Sequence, residues 1–500
     1  MYAKVKWWSL ERGDTDATIA QVGFNLAQLV IPAFLLAPAG ITLAFSVSHL
    51  LPGYALGFSV GSFGLVALAR SAARRSGRSD ITAHVYGNNV PAIIAYSLSI
   101  VLPVFLQTHD AEKAWKVGAA AVIWTGILKL IAAPFAGKLR NLIPPAAAMT
   151  VFGAAMYSYL AMVLLQRIFD QPMIGLIALA IVAVGVLAGV PVTRKRIPTF
   201  LVAWLVPLVC GIEIGYIHPV WQGLRPTLPW IASLAPLIAL PLVLPYMSVI
   251  APMSIYQILQ DIAAVAGASA AGDEYDVRSI LFWDGVGTLF CGLAGSVVTP
   301  VVYAIHPAYK HIGARIGFAF WTPLVLLGIV GSGLTLYVAQ LFPWSILSAM
   351  IAYVSIGVGL ATLRRVEPKY WSGVLVGLML PAGAVVTAAI NSALPALGLV
   401  STQPLVQQAL NRSIYWESVQ GLGNGFLFLV LVVAALVTHL IDRNFGRAAI
   451  WCLFAAAFAW VGLLHSAVMR WEAQPQYTYG WLCAAAVIYS ARWWRGDLVH

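Results

Sequence analysis

Long apolar runs recur along almost the whole chain, and they restrict the fold more than any other feature of the sequence. A helix that crosses a bilayer needs about 20 apolar residues, and backbone exposed to lipid must bond to itself, which favours helices. Charged residues make up 9% of the chain, whereas about 25% is usual in soluble domains. The pattern therefore predicts a multi-pass membrane protein and excludes a large soluble domain on a single anchor.

Sixteen apolar segments are candidates for membrane spans. They cover residues 18–38, 50–69, 89–107, 117–137, 143–165, 173–192, 197–216, 236–265, 279–296, 300–312, 316–341, 344–363, 370–398, 419–441, 448–468 and 477–491. If the segments alternate from a cytoplasmic N-terminus, most of the 29 Lys and Arg residues, among them Arg194, Lys195 and Arg196, lie in cytoplasmic loops. We therefore expect an inner-membrane protein with residues 1–17 and the C-terminus in the cytoplasm. The net charge of +11 then reflects orientation, and no nucleic-acid partner is expected.

The third and tenth segments are abnormal for membrane helices. Thr82 to Pro91 and Gly295 to Pro307 each combine β-branched residues, proline and hydrogen-bonding side chains within a length too short for a full span. Non-helical backbone at membrane depth must be buried in protein or line a cavity. Because the two segments are seven spans apart, an odd number, a duplicated unit would enter the membrane in opposite orientation, as in inverted-repeat transporters. The alternative is two proline-kinked structural helices.

These segments and several shorter motifs carry a family resemblance. The motifs are Trp7-Trp8, Gly13-Asp14, Gly23 to Gln28, Arg78 to Pro91, Gln260-Asp261, Ala270 to Asp273, Asp284 to Leu289 and Thr299 to Pro307. Together they resemble the xanthine/uracil permease branch of the nucleobase/ascorbate transporter family, over roughly residues 7 to 470. The most specific pieces are the third and tenth segments and the Asp284-Gly-x-Gly-Thr motif.

The resemblance implies an all-α polytopic fold of two inverted seven-helix repeats. Repeat one would be 18–216 and repeat two 236–441, with two additional C-terminal helices in 448–491. Spans 1–4 and 8–11 would form a core domain, and spans 5–7 and 12–14 a gate domain. The third and tenth segments would begin as short antiparallel strands, with substrate held between them and the first and eighth helices.

The same resemblance implies a set of substrate-binding residues. The first helix would supply Asn25 and Gln28, the third segment Tyr86, Asn88 and Asn89, the eighth helix Gln257, Gln260 and Asp261, and the tenth segment Thr299, Tyr303 and His306. Asn and Gln amides offer both a donor and an acceptor, which suits the edge of a planar heterocycle. The family's two glutamates are replaced here, one by Gln257 or Gln260, depending on alignment, and the other by Ile305.

Charge within an apolar segment is costly and usually functional, and three such charged residues bear on the site. Asp261 is the candidate for a coupling acid, unless it lies at a helix end and only positions the next loop. Lys129 could pair with Asp261 or extend towards the cytoplasm. Asp284 opens the predicted ninth span and is expected to be a cap or turn residue rather than a ligand.

We therefore expect a secondary active transporter that moves a nucleobase such as xanthine or uracil, or a related small planar heterocycle, across the membrane by alternating access. One alternative is a small anion carried by the same fold, because the half-helix of the tenth segment offers a positive dipole. Another is a membrane enzyme with Asp261 and His306 as acid and base. No metalloprotease, P-loop or nucleophile-elbow motif occurs, so an enzyme, a metal and a cofactor are not expected. The expected partners are the solute, lipid and a coupling proton or sodium ion, with a homodimer left open.

Overall fold

The computed structural model describes residues 8–188, 199–221, 223, 226, 234–399, 401 and 403–493. Residues 1–7 of the predicted cytoplasmic N-terminus lie outside the described residues. The same holds for the predicted cytoplasmic cluster of Arg194, Lys195 and Arg196, and for residues 189–198 of the predicted first repeat.

Helices make up most of the described chain. Those of the first half are α1 Arg12–Leu29, α2 Ile31–Leu36, α3 Leu43–Phe45, α4 Pro52–Ser76, α5 Val90–Tyr96, α6 Leu102–Thr108, α7 Ala111–Ala132, α8 Ala136–Leu142, α9 Pro145–Gly153, α10 Met162–Asp170, α11 Pro172–Val182 and α12 Thr199–Glu213. Those of the second half are α13 Ala235–Ile238, α14 Met247–Ala270, α15 Val277–Leu293, α16 His306–His311, α17 Gly317–Gly331, α18 Thr335–Leu341, α19 Trp344–Arg365, α20 Trp371–Met379, α21 Ala382–Ala393, α22 Pro404–Ile414, α23 Trp416–Gly423, α24 Phe426–Ile441, α25 Phe445–Trp460 and α26 Pro475–Ser490. The two strands are β1 Tyr86–Asn88 and β2 Pro300–Val302.

Eight helical stretches of the described chain are long and apolar enough to cross a membrane. They are Gly13–Ala39, Leu43–Ser76, Val90–Thr108, Ala111–Leu142, Pro145–Asp170, Leu244–Ala270, Trp344–Arg365 and Pro368–Asn391. The number rises to ten if two bent pairs, α17 with α18 and α23 with α24, each form one span. The predicted polytopic helical fold is confirmed. The sixteen apolar segments outnumber these spans, partly because segment 300–312 contains a strand and a helix of six residues.

Glycines allow α4 and α15 to pack closely. A Cβ atom on Gly57 would lie 2.3 Å from the backbone nitrogen of Cys291, and one on Gly61 would lie 2.5 Å from the Tyr86 ring. The spacing of Gly57 and Gly61 predicts such close packing, and the contact confirms it. The approach matters for the site, because it brings Tyr86 against the face of α15 that carries Asp284.

The chain divides into two compact units. The first is drawn from Met1–Arg140, Val163–Val243 and Met253–Tyr353, and the second from Asn141–Met162, Leu244–Pro252 and Val354–His500. Both strands and every residue of the predicted site belong to the first unit. Within the second unit, α25 packs against α26 in the predicted C-terminal region. The assignment of spans to a core and a gate domain stays a prediction, as does the cytoplasmic placement of the termini.

We expect Gly57→Ala to destabilise the protein. The added methyl group meets backbone atoms of α15, which cannot move aside like a flexible side chain, and overpacking of this kind costs about 1–3 kcal/mol. Thermal unfolding of the detergent-purified protein, followed by tryptophan fluorescence, measures the change. Gly328→Ala in α17 is the matched control, because a Cβ there meets nothing within 4 Å. Equal midpoints for the two variants would contradict the close packing.

Candidate functional site

Two short strands replace helix at the centre of the site. β1 and β2 pair antiparallel, with Tyr86 opposite Val302 and Asn88 opposite Pro300. The Asn89 amide extends the pairing by donating to the carbonyl of Thr299 at 2.9 Å. Every residue of both strands is buried. The third and tenth segments therefore begin as antiparallel strands, as predicted, and each supplies hydrogen-bond partners for the other's backbone.

Helix α1 holds β1 through its amide side chains. The Asn88 backbone amide donates to Asn25 Oδ1 at 3.2 Å, and Asn88 Nδ2 donates to the carbonyl of Asn25 at 2.8 Å. The Asn25 amide group in turn donates to the carbonyl of Gln21 at 2.9 Å, and Tyr54 donates to its oxygen. Protein groups therefore engage both ends of the Asn25 side chain. Its role in this geometry is to position Asn88, whose Oδ1 has no partner among the described residues.

Helix α14 approaches the end of β1 through its glutamines. Asn89 caps the helix that begins at Val90 by accepting from the Ala92 amide at 3.0 Å. The Asn89 side chain also donates to Gln260 Oε1 at 3.0 Å. Gln257 lies three residues before Gln260 and so shares its face of α14.

Two polar side chains at this place lack a partner among the described residues. Gln257 is fully buried, and neither atom of its amide takes part in a hydrogen bond. The Thr299 hydroxyl is also fully buried and without a partner. A buried polar group left unsatisfied costs about 1–3 kcal/mol, and native proteins keep few of them. Gln257 and Thr299 therefore hold donors and acceptors that no described residue uses.

Tyr303 joins the second strand segment to the first. Its hydroxyl lies 2.6 Å from the carbonyl oxygen of Asn88 and 3.1 Å from Gln28 Oε1, two acceptors for its single proton. The ring lies over Gly87, where a Cβ would be 2.4 Å from the nearest ring carbon. Only glycine at residue 87 leaves room for this contact. The structure thus brings Gln28, Asn88 and Tyr303 together as the resemblance implies.

A fully buried ion pair lies beside the strands. Lys129 Nζ is 2.6 Å from Asp284 Oδ2 and also donates to the Thr288 hydroxyl at 3.0 Å and to the carbonyl of Pro300 at 3.1 Å. The Tyr86 hydroxyl donates to the other oxygen of Asp284 at 2.9 Å. The lysine can donate three hydrogen bonds, and all three are made with protein groups.

Asp261 is the third charged group in this place. It is fully buried, and its Oδ1 accepts from the amide of Val302 in β2 at 3.2 Å. Its carboxyl group interacts with both Asp284 and Lys129. With all three groups ionised, the cluster of Lys129, Asp261 and Asp284 carries one net negative charge, and burial opposes such a charge strongly.

The structure corrects the expectations about Asp284 and Lys129 and excludes one of the two alternatives for Asp261. Helix α15 begins at Val277, with Asp276 as its cap, so Asp284 lies in the middle of the helix and is not a cap or turn residue. Lys129 is fully buried against Asp284 and does not extend towards the cytoplasm. Asp261 is not at a helix end, because α14 continues to Ala270. Sequence reasoning missed the pair because the two residues are 155 positions apart.

His306 lies apart from the amides, in a second polar cluster. Its Nε2 is 3.0 Å from Asp273 Oδ2, and Asp273 also accepts from Lys310 and from the Thr82 amide. Burial opposes ionisation of Asp273, but these hydrogen bonds outweigh it and lower the pKa of that carboxyl to about 2. His306 is therefore held by loops beyond the strands, on the side of β2 away from Thr299. Among the described residues no group of three or more His, Cys, Asp and Glu side chains could hold a metal ion.

Comparison with solved structures gives the fold a precedent. The transmembrane domain of a cyanobacterium bicarbonate transporter, BicA, matches with a TM-score of 0.52 and 13% identity over 76% of this chain and 96% of its own. The chain has the fold of a transporter domain. That fold consists of two inverted repeats, so the predicted fold class is confirmed.

Two further matches are more distant. A structure of SLC26A9 matches with a TM-score of 0.45 and 14% identity, covering 74% of this chain and 61% of that one. Murine Slc26a9, an anion transporter in the inward-facing state, matches with a TM-score of 0.47 and 12% identity, covering 75% and 66%. The chain thus spans less than two thirds of both. No family model matches the sequence, and no curated protein matches it either.

The comparisons refine what the sequence resemblance implies. The transmembrane domain of the bicarbonate transporter supports the inverted-repeat fold, and at 13% identity it supports the fold alone. The substrate is therefore a matter for proposal.

We expect Lys129→Met to destabilise the fold more than the double variant Lys129→Met with Asp284→Asn. Removing the lysine alone leaves a buried carboxylate without its counter-ion, which costs about 3–5 kcal/mol, whereas the double variant removes both charges. Thermal unfolding and the yield of monodisperse protein measure the difference. If the double variant is no more stable than Lys129→Met, the ion pair does not supply the coupling that the 2.6 Å contact indicates.

Proposed function

We propose that the protein is a secondary transporter that carries a small anion, such as bicarbonate or another oxyanion, across the membrane by alternating access. The fold supports this, because the bicarbonate transporter domain matches along nearly its whole length. The site supports it independently, through the chemistry of its donors. Such a transporter needs an uncharged polar place at membrane depth and a route for charge compensation.

The observation that carries the proposal is the pair of unpartnered buried side chains, Gln257 and Thr299, beside the start of a helix. Asn89 bonds to Gln260 on the face that Gln257 shares, and its amide bonds to the Thr299 carbonyl. The helix that begins at Val90 runs to Thr108, and its N-terminus carries a partial positive charge that favours an anion. Amide and hydroxyl donors would complete the binding of an oxyanion.

The only ammonium group seen in this part of the described site does not contact the solute in our proposal. All three donor positions of Lys129 are taken by Asp284, Thr288 and Pro300. Neutral donors and a helix dipole then bind the anion. This arrangement suits transport, because the site must bind the ion strongly enough for it to enter and weakly enough for it to be released.

A nucleobase or a related planar heterocycle is the second candidate. One observation favours it: both the donor and the acceptor of the Gln257 amide are without a partner, and so is Asn88 Oδ1. An amide pair of this kind matches the alternating donors and acceptors of a heterocycle edge. The anion is preferred because the family's two glutamates are absent and the matching fold is that of a bicarbonate transporter.

We expect purified protein in liposomes to take up a labelled small anion, and Gln257→Ala and Thr299→Val each to lower uptake about tenfold or more. A hydrogen bond to a charged group contributes about 1.5–3 kcal/mol, and each substitution removes one. Thr438→Val is the matched control, because that threonine is also buried but donates only within its own helix, to Ala434. Unchanged uptake in both site variants would contradict the site.

Competition separates the two candidate solutes. Bicarbonate, sulfate and uracil are each added in excess to labelled substrate, with the wild type in liposomes. Competition by an oxyanion supports the anion proposal, whereas competition by uracil alone supports the heterocycle. If Gln257→Ala changes the competition pattern while Thr438→Val does not, the glutamine takes part in solute recognition.

We propose Asp261 as the coupling acid. A proton on Asp261 would cancel the net negative charge of its cluster and remove repulsion against an incoming anion, so that proton and anion would favour each other's binding. Asp261→Asn imitates the protonated form, so the variant should exchange anions but lose accumulation driven by a pH gradient. Asp442→Asn, at a carboxylate that lies at the exposed end of α24, should behave as wild type.

The measurement is uptake against an imposed pH gradient, with and without a protonophore. Wild-type accumulation that collapses with the protonophore fits a proton coupled through Asp261. Accumulation that follows a sodium gradient instead would assign the coupling to sodium, and accumulation retained by Asp261→Asn would remove this residue from the coupling step.

A further inference from the structure

A groove opens where α4, α7 and α15 meet on the first unit. Its volume is about 520 Å³, and its walls are mainly apolar. They are formed by Leu68, Leu130, Ala133, Pro134, Phe282 and Trp283. Phe282 is a large apolar residue of α15 and is 46% exposed, so this wall faces outward from the protein. Amides of the proposed solute site do not line the groove.

The groove lies near one end of the helices that form it. Helix α15 packs antiparallel against both α4 and α7. The C-terminal ends of the spans Leu43–Ser76 and Ala111–Leu142 therefore lie on the side where α15 begins at Val277. The wall residues of the second span run from Leu130 to Pro134, which is roughly 6 Å along a helix. That length is less than half of the hydrocarbon thickness of one leaflet, about 15 Å. The apolar walls therefore cover the part of a lipid acyl chain that is nearest its head group.

A cation lies at the mouth of the groove. Arg278, in the first turn of α15, lines it and is exposed. Its backbone amide donates to the capping carboxylate of Asp276, but its guanidinium group makes no hydrogen bond or ion pair with the described residues. The Asp276 carboxylate is itself engaged by the amide and hydroxyl of Ser279.

Two more cations lie near the same mouth. Lys138 follows Pro134 by four residues, and Arg75 follows Leu68 by seven, so each lies beyond a wall residue on roughly the same helix face. Both are exposed, and neither makes an ion pair within the described chain. The groove thus combines apolar walls with cations that lie beyond them, towards the ends of the same helices.

We propose that this groove binds one anionic phospholipid, with an acyl chain along the walls and the phosphodiester at Arg278. A free phosphate would use the cations and leave the apolar walls uncovered, whereas a neutral lipid would cover the walls without drawing on the excess positive charge. Basic pockets between membrane helices are a known type of lipid head-group site. Because α7 and α15 also carry Lys129 and Asp284, the lipid would brace the helices that hold the ion pair.

The test uses the full-length protein, delipidated in detergent. Native mass spectrometry counts the adducts formed with phosphatidylglycerol, with phosphatidylcholine of the same acyl chains, and with glycerol phosphate. We expect one retained phosphatidylglycerol per chain, bound at least about fivefold more tightly than phosphatidylcholine, the effect expected for one cation near an anionic head group. Phosphatidylglycerol should also raise the thermal midpoint, and glycerol phosphate should not.

Variants locate the bound lipid. Arg278→Gln should weaken phosphatidylglycerol binding about fivefold, Arg278→Lys should retain it, and Leu68→Trp should block it by filling the groove. Arg74→Gln is the matched control, since Arg74 is an exposed arginine of the same helix end but six residues from Leu68 and so on another face. Equal retention of both lipids, equal binding in Arg278→Gln and Arg74→Gln, or binding of glycerol phosphate alone would each overturn the proposal.

Discussion

The structure depends on satisfying non-helical backbone at membrane depth. Helix bonds its own amides, but the segments around β1 and β2 cannot, and each unpaired group would cost several kcal/mol in lipid. The strands bond to each other, Asn25 bonds to the Asn88 amide, and Asp261 accepts from the Val302 amide. Polar side chains on α1 and α14 are therefore needed beside the strands, and the polar surroundings of the proposed solute site result from the same requirement.

Three buried charged residues beside the strands form one cluster. Lys129 contacts Asp284 in α15 and the carbonyl of Pro300 in β2, so one side chain neutralises a carboxylate and satisfies a strand. Asp261 leaves the cluster with an uncompensated negative charge when all three groups are ionised. In our proposal, structural support and proton coupling are two roles of one cluster, which accounts for charged residues at depth in a chain with so few of them.

The sequence predicts the strands and the amides well but not the charge pairing. Proline, β-branched residues and a spacing of seven segments were sufficient to predict two broken spans, because no uninterrupted helix accommodates them. The Asp284-Gly285 sequence favours a cap or turn at Asp284, although the predicted span 279–296 contains it, and the structure has Asp276 as the cap instead. That error concealed the partner of Lys129. His306 shares a motif with Tyr303, yet it lies past the end of β2, where Asp273 binds it. Solute identity depends on side-chain contacts that neither motif spacing nor fold determines.

The contacts of Lys129 also have a consequence for biogenesis. The ammonium group belongs to the first half of the chain, and its counter-ion and its carbonyl partner belong to the second. During synthesis α7 leaves the ribosome more than 150 residues before Asp284, so the first half must wait at the translocon or in the bilayer with an unpaired cation. The two halves can reach their final state only together, which makes assembly of this unit cooperative across the whole length of its sequence.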